Sequence, residues 1–146
     1  MIDLRVIAVG SPFTGDDLAW QVSDTLQQQF DTIDFIKLDR PGSQLIEYLQ
    51  GVDRVVVIDA LEEKVTSSIV ELTMQQLQQE TNLVSSHGFG VSETLRLAEA
   101  MQALPETLCI LGLSPGVDIH SLADRCAAII ASYTTIHRQQ VSRNAI

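Results

Sequence analysis

Leu4-Arg5-Val6-Ile7-Ala8-Val9-Gly10-Ser11-Pro12-Phe13-Thr14-Gly15-Asp16-Asp17 is the stretch on which the fold turns. Its first six residues are too short a run for a helix and too continuously apolar for a strand with one wet face, so they read as a strand buried on both sides. Gly10 to Gly15 reads as a loop, and an amphipathic helix then spans about Asp16 to Phe30. Leu18, Val22, Leu26 and Phe30 fall on one face of it, with Trp20 beside the stripe and partly exposed near the loop. A helix start presents unpaired N–H groups and the positive end of a dipole, and such loops often hold phosphate. Here Asp16 and Asp17 stand where a phosphate-cradling loop has Lys and Ser or Thr, so this one repels phosphate and attracts a cation. The plainer alternative is that the two carboxylates only cap the helix, worth roughly 0.5–2 kcal/mol.

Working outward, strand and helix keep alternating. Ile33 to Leu38 is a second strand; Pro41-Gly42-Ser43 opens a short helix carrying Leu45, Ile46 and Leu49, and Gly51 ends it. Arg54 to Ala60 is a β-branched run that closes on a carboxylate, Asp59. Ser67 to Thr73 alternates, with Val70 and Leu72 on one side and Glu71 and Thr73 on the other, which suits an edge strand. Met74 to Val91 has little periodicity, and a connection that long in a compact domain tends to be functional. Ser92 stands as the N-cap of a helix with Leu97, Met101 and Leu104 inward, ended by Pro105. Thr107 to Leu113 is the last buried strand. A final helix from about Asp118 turns Leu122, Cys126, Ile129, Ile130, Tyr133 and Ile136 to one face, and the polar tail from Arg138 is expected to fray.

The pattern predicts a three-layer α/β/α domain spanning 1–146, with a mostly parallel twisted sheet of about five strands and right-handed crossovers. Nothing in it repeats, and no linker divides it. A formal charge of −10 argues against nonspecific nucleic-acid binding and against attraction to an anionic membrane, both of which depend on Lys and Arg. No signal-like leader or spanning run is visible, so the expected location is the cytoplasm. Cys109 and Cys126 read as small buried hydrophobes, with a disulfide between them as the weaker alternative.

Ligands of such sheets bind beyond the carboxyl ends of the strands, where strand order reverses. Asp17 and Asp59 both follow strand ends and would converge there if the first and third strands are neighbours, and the glycine-flanked His87 of Ser86-His87-Gly88-Phe89-Gly90 could complete the set. Two carboxylates and an imidazole suit a divalent ion such as Ni or Zn, with positions left open for substrate or water. His120 and His137, on the last helix, read as surface residues.

In its motifs the whole chain resembles the hydrogenase maturation proteases, endopeptidases that trim the C-terminus of the large subunit of nickel-iron hydrogenases. The family's Gly-Asn-x-Leu-x-x-Asp-Asp/Glu-Gly-x-Gly loop is matched in part by Gly10-Ser11-Pro12-Phe13-Thr14-Gly15-Asp16-Asp17-Leu18-Ala19-Trp20. Val56-Val57-Ile58-Asp59-Ala60, Ser86-His87-Gly88 and Leu111-Gly112-Leu113-Ser114-Pro115 follow in family order. The resemblance implies that Asp17, Asp59 and His87 contact the metal and carry catalysis. It implies that the nickel is supplied by the substrate, with Zn or Cd able to substitute, and that no cofactor is tightly bound. The implied partner is a hydrogenase large-subunit precursor, met by a monomer. Ser11 replaces the family's Asn, Leu18 and Trp20 replace glycines, and Asp39-Arg40-Pro41-Gly42 replaces Asp-Gly-Gly-Thr, a stretch associated with recognising the hydrogenase.

Three other readings compete. A non-catalytic, hydrogenase-binding adaptor would share the fold and differ in a cleavage assay. A receiver-type phosphoacceptor domain would phosphorylate Asp59 with Mg on Asp16 and Asp17, but the acid pair lies several residues past its strand and Leu108-Cys109-Ile110-Leu111-Gly112 offers no Lys for the phosphoryl group. A dinucleotide-binding module would need G-x-G-x-x-G in the first loop, which is absent.

Overall fold

In a computed structural model, residues 3–11, 17–40, 42–62, 67–74 and 91–144 are described, with side chains as far as residue 134. The first run becomes β1 (Leu4–Gly10), and α1 (Leu18–Gln27), β2 (Asp34–Asp39), α2 (Ser43–Tyr48) and β3 (Arg54–Ala60) follow. The chain continues through β4 (Ile69–Leu72), α3 (Val91–Ala100), β5 (Thr107–Leu113) and α4 (Ile119–Asn144). The strands form one sheet in the order β2-β1-β3-β5-β4, parallel except for β4, which runs antiparallel to β5 at the edge. β3 is buried along its whole length, as a central strand with helices over both faces must be.

Alternation along the strands sorts the core into two layers. On one face Val6, Ala8, Val56, Ile58, Cys109 and Leu111 pack with Ala19, Val22 and Leu26 of α1 and Leu122, Ala123, Cys126 and Ile130 of α4. On the other, Ile7, Val9, Val55, Val57 and Ile110 pack with Leu45 and Ile46 of α2 and Val91, Leu95 and Ala98 of α3. The edge strand follows its expected alternation: Val70 and Leu72 join the second layer, while Glu71 lies over the first. There the Tyr133 hydroxyl donates to Glu71 Oε1 at 3.3 Å, and the Cys109 thiol lies 3.8 Å from the same oxygen. Both cysteines are free and buried, so the disulfide alternative is set aside. Burial, above all, pushes both thiols up from 9.0 to about 12.

At the amino end of the sheet, Arg5 clamps three segments. Its Nε donates to Asp34 Oδ2 at 2.6 Å, its Nη1 to the Tyr48 and Gln50 carbonyls at 2.8 and 3.3 Å, and its guanidinium lies 5.6 Å from the centre of the Tyr48 ring. The carbonyls ending α2 would otherwise lack a partner, and a planar five-donor group supplies one. Gly51 follows at φ 83°, as a glycine stopping a helix does.

Three expectations need correction. The inward face of α3 is Val91, Thr94, Leu95 and Ala98, whereas Leu97 and Met101 are 49% and 58% exposed; of the expected stripe, Leu104 alone packs against the core. Small residues win that face because it lies close against β-strands and α2, where bulk at every fourth position would not fit. Ser92 is the second residue of α3, not its cap, and its hydroxyl meets Glu93 instead. The tail does not fray at Arg138: α4 continues to Asn144, since its backbone bonds need no apolar face to form.

Candidate active site

β1 and β3 are neighbours, and at that junction the connections reverse direction: β1 leads outward through α1 to β2, and β3 leads the other way to β5 and β4. The topological switch point, beyond whose carboxyl ends sheets of this kind bind their ligands, is thus between β1 and β3. Asp59 pairs in register with Val9 on one side and Gly112 on the other, one residue short of the end of β3. It is 4% exposed. Its register puts it on the face of Val55 and Val57, the side covered by α2 and α3. Two further buried polar residues close the neighbouring strand ends, Ser11 after β1 and Ser114 after β5, at 2% and 1% exposure. The burial of these hydroxyls was missed from sequence; the available signal was that each is the first polar residue after the apolar run of its strand.

Asp17 enters at the same end of the sheet by another route. It immediately precedes α1, and its carbonyl accepts the Gln21 N–H at 3.0 Å, opening the helix. Its side chain makes no cap hydrogen bond; Oδ2 accepts from Gln21 Nε2 at 2.8 Å instead. The capping alternative therefore does not describe what this carboxylate does. Leu18, in the helix's first position, is half-buried against the α1/α4 layer, and Trp20 Nε1 donates to the Leu38 carbonyl at 3.1 Å, tying α1 to the end of β2.

His87 and Asp16 lie outside the described residues. Asp17 and Asp59 lie at the same end of the sheet, and among the described residues no three of His, Cys, Asp and Glu gather closely enough to hold a metal. His120 is exposed, as expected; the His137 side chain is outside the described set. Close by, Arg40 follows β2 with φ 72°, and its N–H donates to the Gly10 carbonyl at 2.7 Å. Gly112, beside Asp59, faces Leu61 so closely that a Cβ there would lie 2.8 Å from Leu61 Cδ2. No described helix is long and apolar enough to cross a membrane.

Comparison with known proteins gives this geometry a context. The family model HycI, hydrogenase maturation protease, matches residues 19–119, more than half of the chain. No curated protein matches the sequence. Among solved structures, the chain is similar to the hydrogenase maturating endopeptidase HybD from E. coli, with a TM-score of 0.69 and 15% identity over 93% of this chain and 94% of that one. It is similar also to the NiFe hydrogenase maturation protease HybD from Thermococcus kodakarensis, with a TM-score of 0.64 and 18% identity over 91% and 99% of the two chains. The HycI protease of the same organism gives 0.61 and 17% over 89% and 90%.

Proposed function

The chain belongs to the hydrogenase maturation protease family, a family of endopeptidases, and from that premise we propose that it removes the C-terminal extension of a nickel-loaded nickel-iron hydrogenase large subunit. Asp17, Asp59 and His87 contact the ion in this reading, and the ion arrives with the substrate as the sign that metal insertion is finished. The protein holds no metal tightly of its own and acts as a cytoplasmic monomer.

One observation carries the reading most: a buried carboxylate on the central strand, at the β1/β3 switch point, at the same end of the sheet as Asp17. A carboxylate held there is fixed by a strand buried on both faces, so it meets an incoming cation without first ordering itself. Asp17 and Asp59 together supply two negative charges to a cation, and the ion they bind would hold the precursor's tail across the strand ends. Bound nickel is a Lewis acid that can polarise a carbonyl or activate water. Asp59, shut away from bulk water, keeps its attraction for that cation less screened than a surface carboxylate would.

Incubation of the purified protein with nickel-loaded and nickel-free precursors, read by the mass of the large subunit, tests the proposal. Cleavage is expected only of the loaded form, and Asp17→Asn and Asp59→Asn should each abolish it while leaving the circular dichroism spectrum intact. Cutting of nickel-free precursor would remove the ion's role as a tag. Failure to cut any nickel-loaded precursor would overturn proteolysis in favour of a binding-only adaptor.

A further inference from the structure

We propose that Gln21 is a positioning residue for Asp17: its side-chain amide holds one carboxylate oxygen and leaves the other to the incoming ion. This rests on the endopeptidase reading above and adds to it how one of the ion's contacts is held in place.

Two helices of this chain begin directly after an aspartate at the carboxyl end of the sheet, and the two aspartates behave differently. Asp17 precedes α1 and Asp118 precedes α4, and each opens its helix in the same way: the N–H four residues on, of Gln21 or Leu122, donates to the aspartate carbonyl at 3.0 Å. The Asp118 carboxylate then turns back onto its own helix, where Oδ2 accepts the Ser121 N–H at 3.1 Å, the ordinary use of an aspartate at that position. The Asp17 carboxylate makes no such cap. Its backbone sits at φ −98° and ψ 10°, in the bridge between the helical and extended regions that active-site residues often occupy, and not in the extended conformation typical of a capping residue.

Gln21 decides where this carboxylate goes instead. Its Nε2 donates to Asp17 Oδ2 at 2.8 Å while its backbone N–H holds the Asp17 carbonyl, so one residue grips the aspartate at both ends. The two are four residues apart, the spacing at which side chains on one helix face meet. At the same place in α4 stands the apolar Leu122, which has no N–H in its side chain to offer Asp118. A carboxylate that binds a metal is ordinarily hydrogen-bonded in turn, and the bond orients it. Here it fixes the side chain before the ion arrives, so that ordering is not a cost of binding. It also occupies Oδ2 and leaves Oδ1, which has no hydrogen bond among the described residues, so Asp17 offers the ion a single oxygen. A lysine or arginine at 21 would grip the carboxylate harder and repel the ion, whereas an amide orients it and leaves its charge intact. Gln21 is exposed, so replacing its amide removes this bond and little else.

The test compares wild type, Gln21→Met, Asp17→Ala and the double variant. Methionine matches glutamine in length and helix preference and has no N–H to donate. Trp20, the chain's single tryptophan and a near neighbour of Asp17 in sequence, reports nickel(II) added to the free protein by quenching of its fluorescence. Gln21→Met should weaken nickel binding about tenfold at an unchanged melting temperature, the low end for a group that orients a metal ligand, because the pair is exposed to water. With nickel-loaded precursor, KM should rise by a similar factor at constant kcat, whereas loss of folded enzyme would lower kcat at constant KM; the KM ratio decides if the free ion binds too weakly to titrate. In the Asp17→Ala background Gln21→Met should change nothing. Equal nickel affinity in wild type and Gln21→Met overturns the proposal, and so does a loss that persists without Asp17. A loss that depends on Asp17, in a protein that cuts no nickel-loaded precursor, supports Gln21 and overturns proteolysis. Cleavage with the same KM in both proteins does the reverse, and a wild type that neither binds nickel nor cuts overturns both.

Discussion

Replacing Gly112 by alanine perturbs the residue beside Asp59 while touching no group that binds or reacts. The added Cβ would lie 2.8, 3.1 and 3.3 Å from Leu61 Cδ2, Cγ and Cδ1, and a carbon-carbon contact relaxes at about 3.5–4.0 Å, so Leu61 must move as a whole and not only at its tip. Leu61 is half-exposed and has room to swing outward, but its backbone cannot follow, because its N–H donates to the Leu113 carbonyl at 2.8 Å. The cost falls at the low end of overpacking, about 1–2 kcal/mol. Leu61→Ala alone loses a half-buried side chain and costs a similar amount. Combined, the two substitutions relieve one another, since the alanine methyl at 112 enters space that Leu61 vacated, and the double variant should be about 1 kcal/mol more stable than additivity predicts. Urea denaturation of the four proteins, with midpoints converted at a common slope, measures that coupling. If Gly112→Ala costs the same in both backgrounds, Leu61 is not what the glycine makes room for, and the close approach described beside Asp59 is refuted.

Two further outcomes follow from groups at the sheet's other end and in its core. Arg5→Ala should lower stability by about 2–4 kcal/mol, because it strands Asp34 and the final α2 carbonyls together, and Arg5→Lys should recover less than half of that for want of the planar fork; urea midpoints decide both. Stability should also fall above pH 9. Unfolded thiols ionise near 9.0 while Cys109 and Cys126 stay protonated to about 12, so the unfolded state releases protons first and stability declines between those values at up to about 1.4 kcal/mol per pH unit per thiol. Tyr133, whose phenol burial also pushes up, adds to the decline above pH 10. Unfolding free energies at pH 8 and 10.5 should show the slope flattened in the Cys109→Ala/Cys126→Ala variant, and an unchanged slope would refute burial of the thiols as its cause.

The parts of the fold legible in the sequence are those where one physical demand dominates. A strand buried on both faces must be continuously apolar, so Val55-Val56-Val57-Ile58 declared β3 and the carboxylate that ends its run declared Asp59. An edge strand can leave a polar side chain outward, and Val70-Glu71-Leu72 does, although Ile69 on the side of Glu71 is buried in the first layer. Where two demands compete, the sequence is ambiguous. α3 carries two stripes, and bulk favours Leu97 and Met101 while close packing favours Leu95 and Ala98; packing decides, and only the folded neighbours reveal how close they come. The left-handed turn at Arg40 was equally hidden, since an arginine carries no signal of a positive φ although the resembling motif has glycine there. Asp17 and Asp59 come to the same end of the sheet because strand order puts β1 beside β3, which no single residue encodes.

The two core layers have a mechanical consequence for that pair of acids. Asp59 rides on the central strand and is as immovable as the sheet. Asp17 rides on the end of α1, whose height over the sheet is set by Ala19, Val22 and Leu26 resting on Leu122, Ala123, Cys126 and Ile130 of α4. The two acids are thus held differently: Asp59 moves only with the sheet, whereas Asp17 follows whatever shifts α1. A methyl group gained or lost at Ala123, on a helix that follows the last strand, displaces α1 and Asp17 with it, so the placing of a carboxylate at the front of the sheet is written into a helix-helix contact behind it.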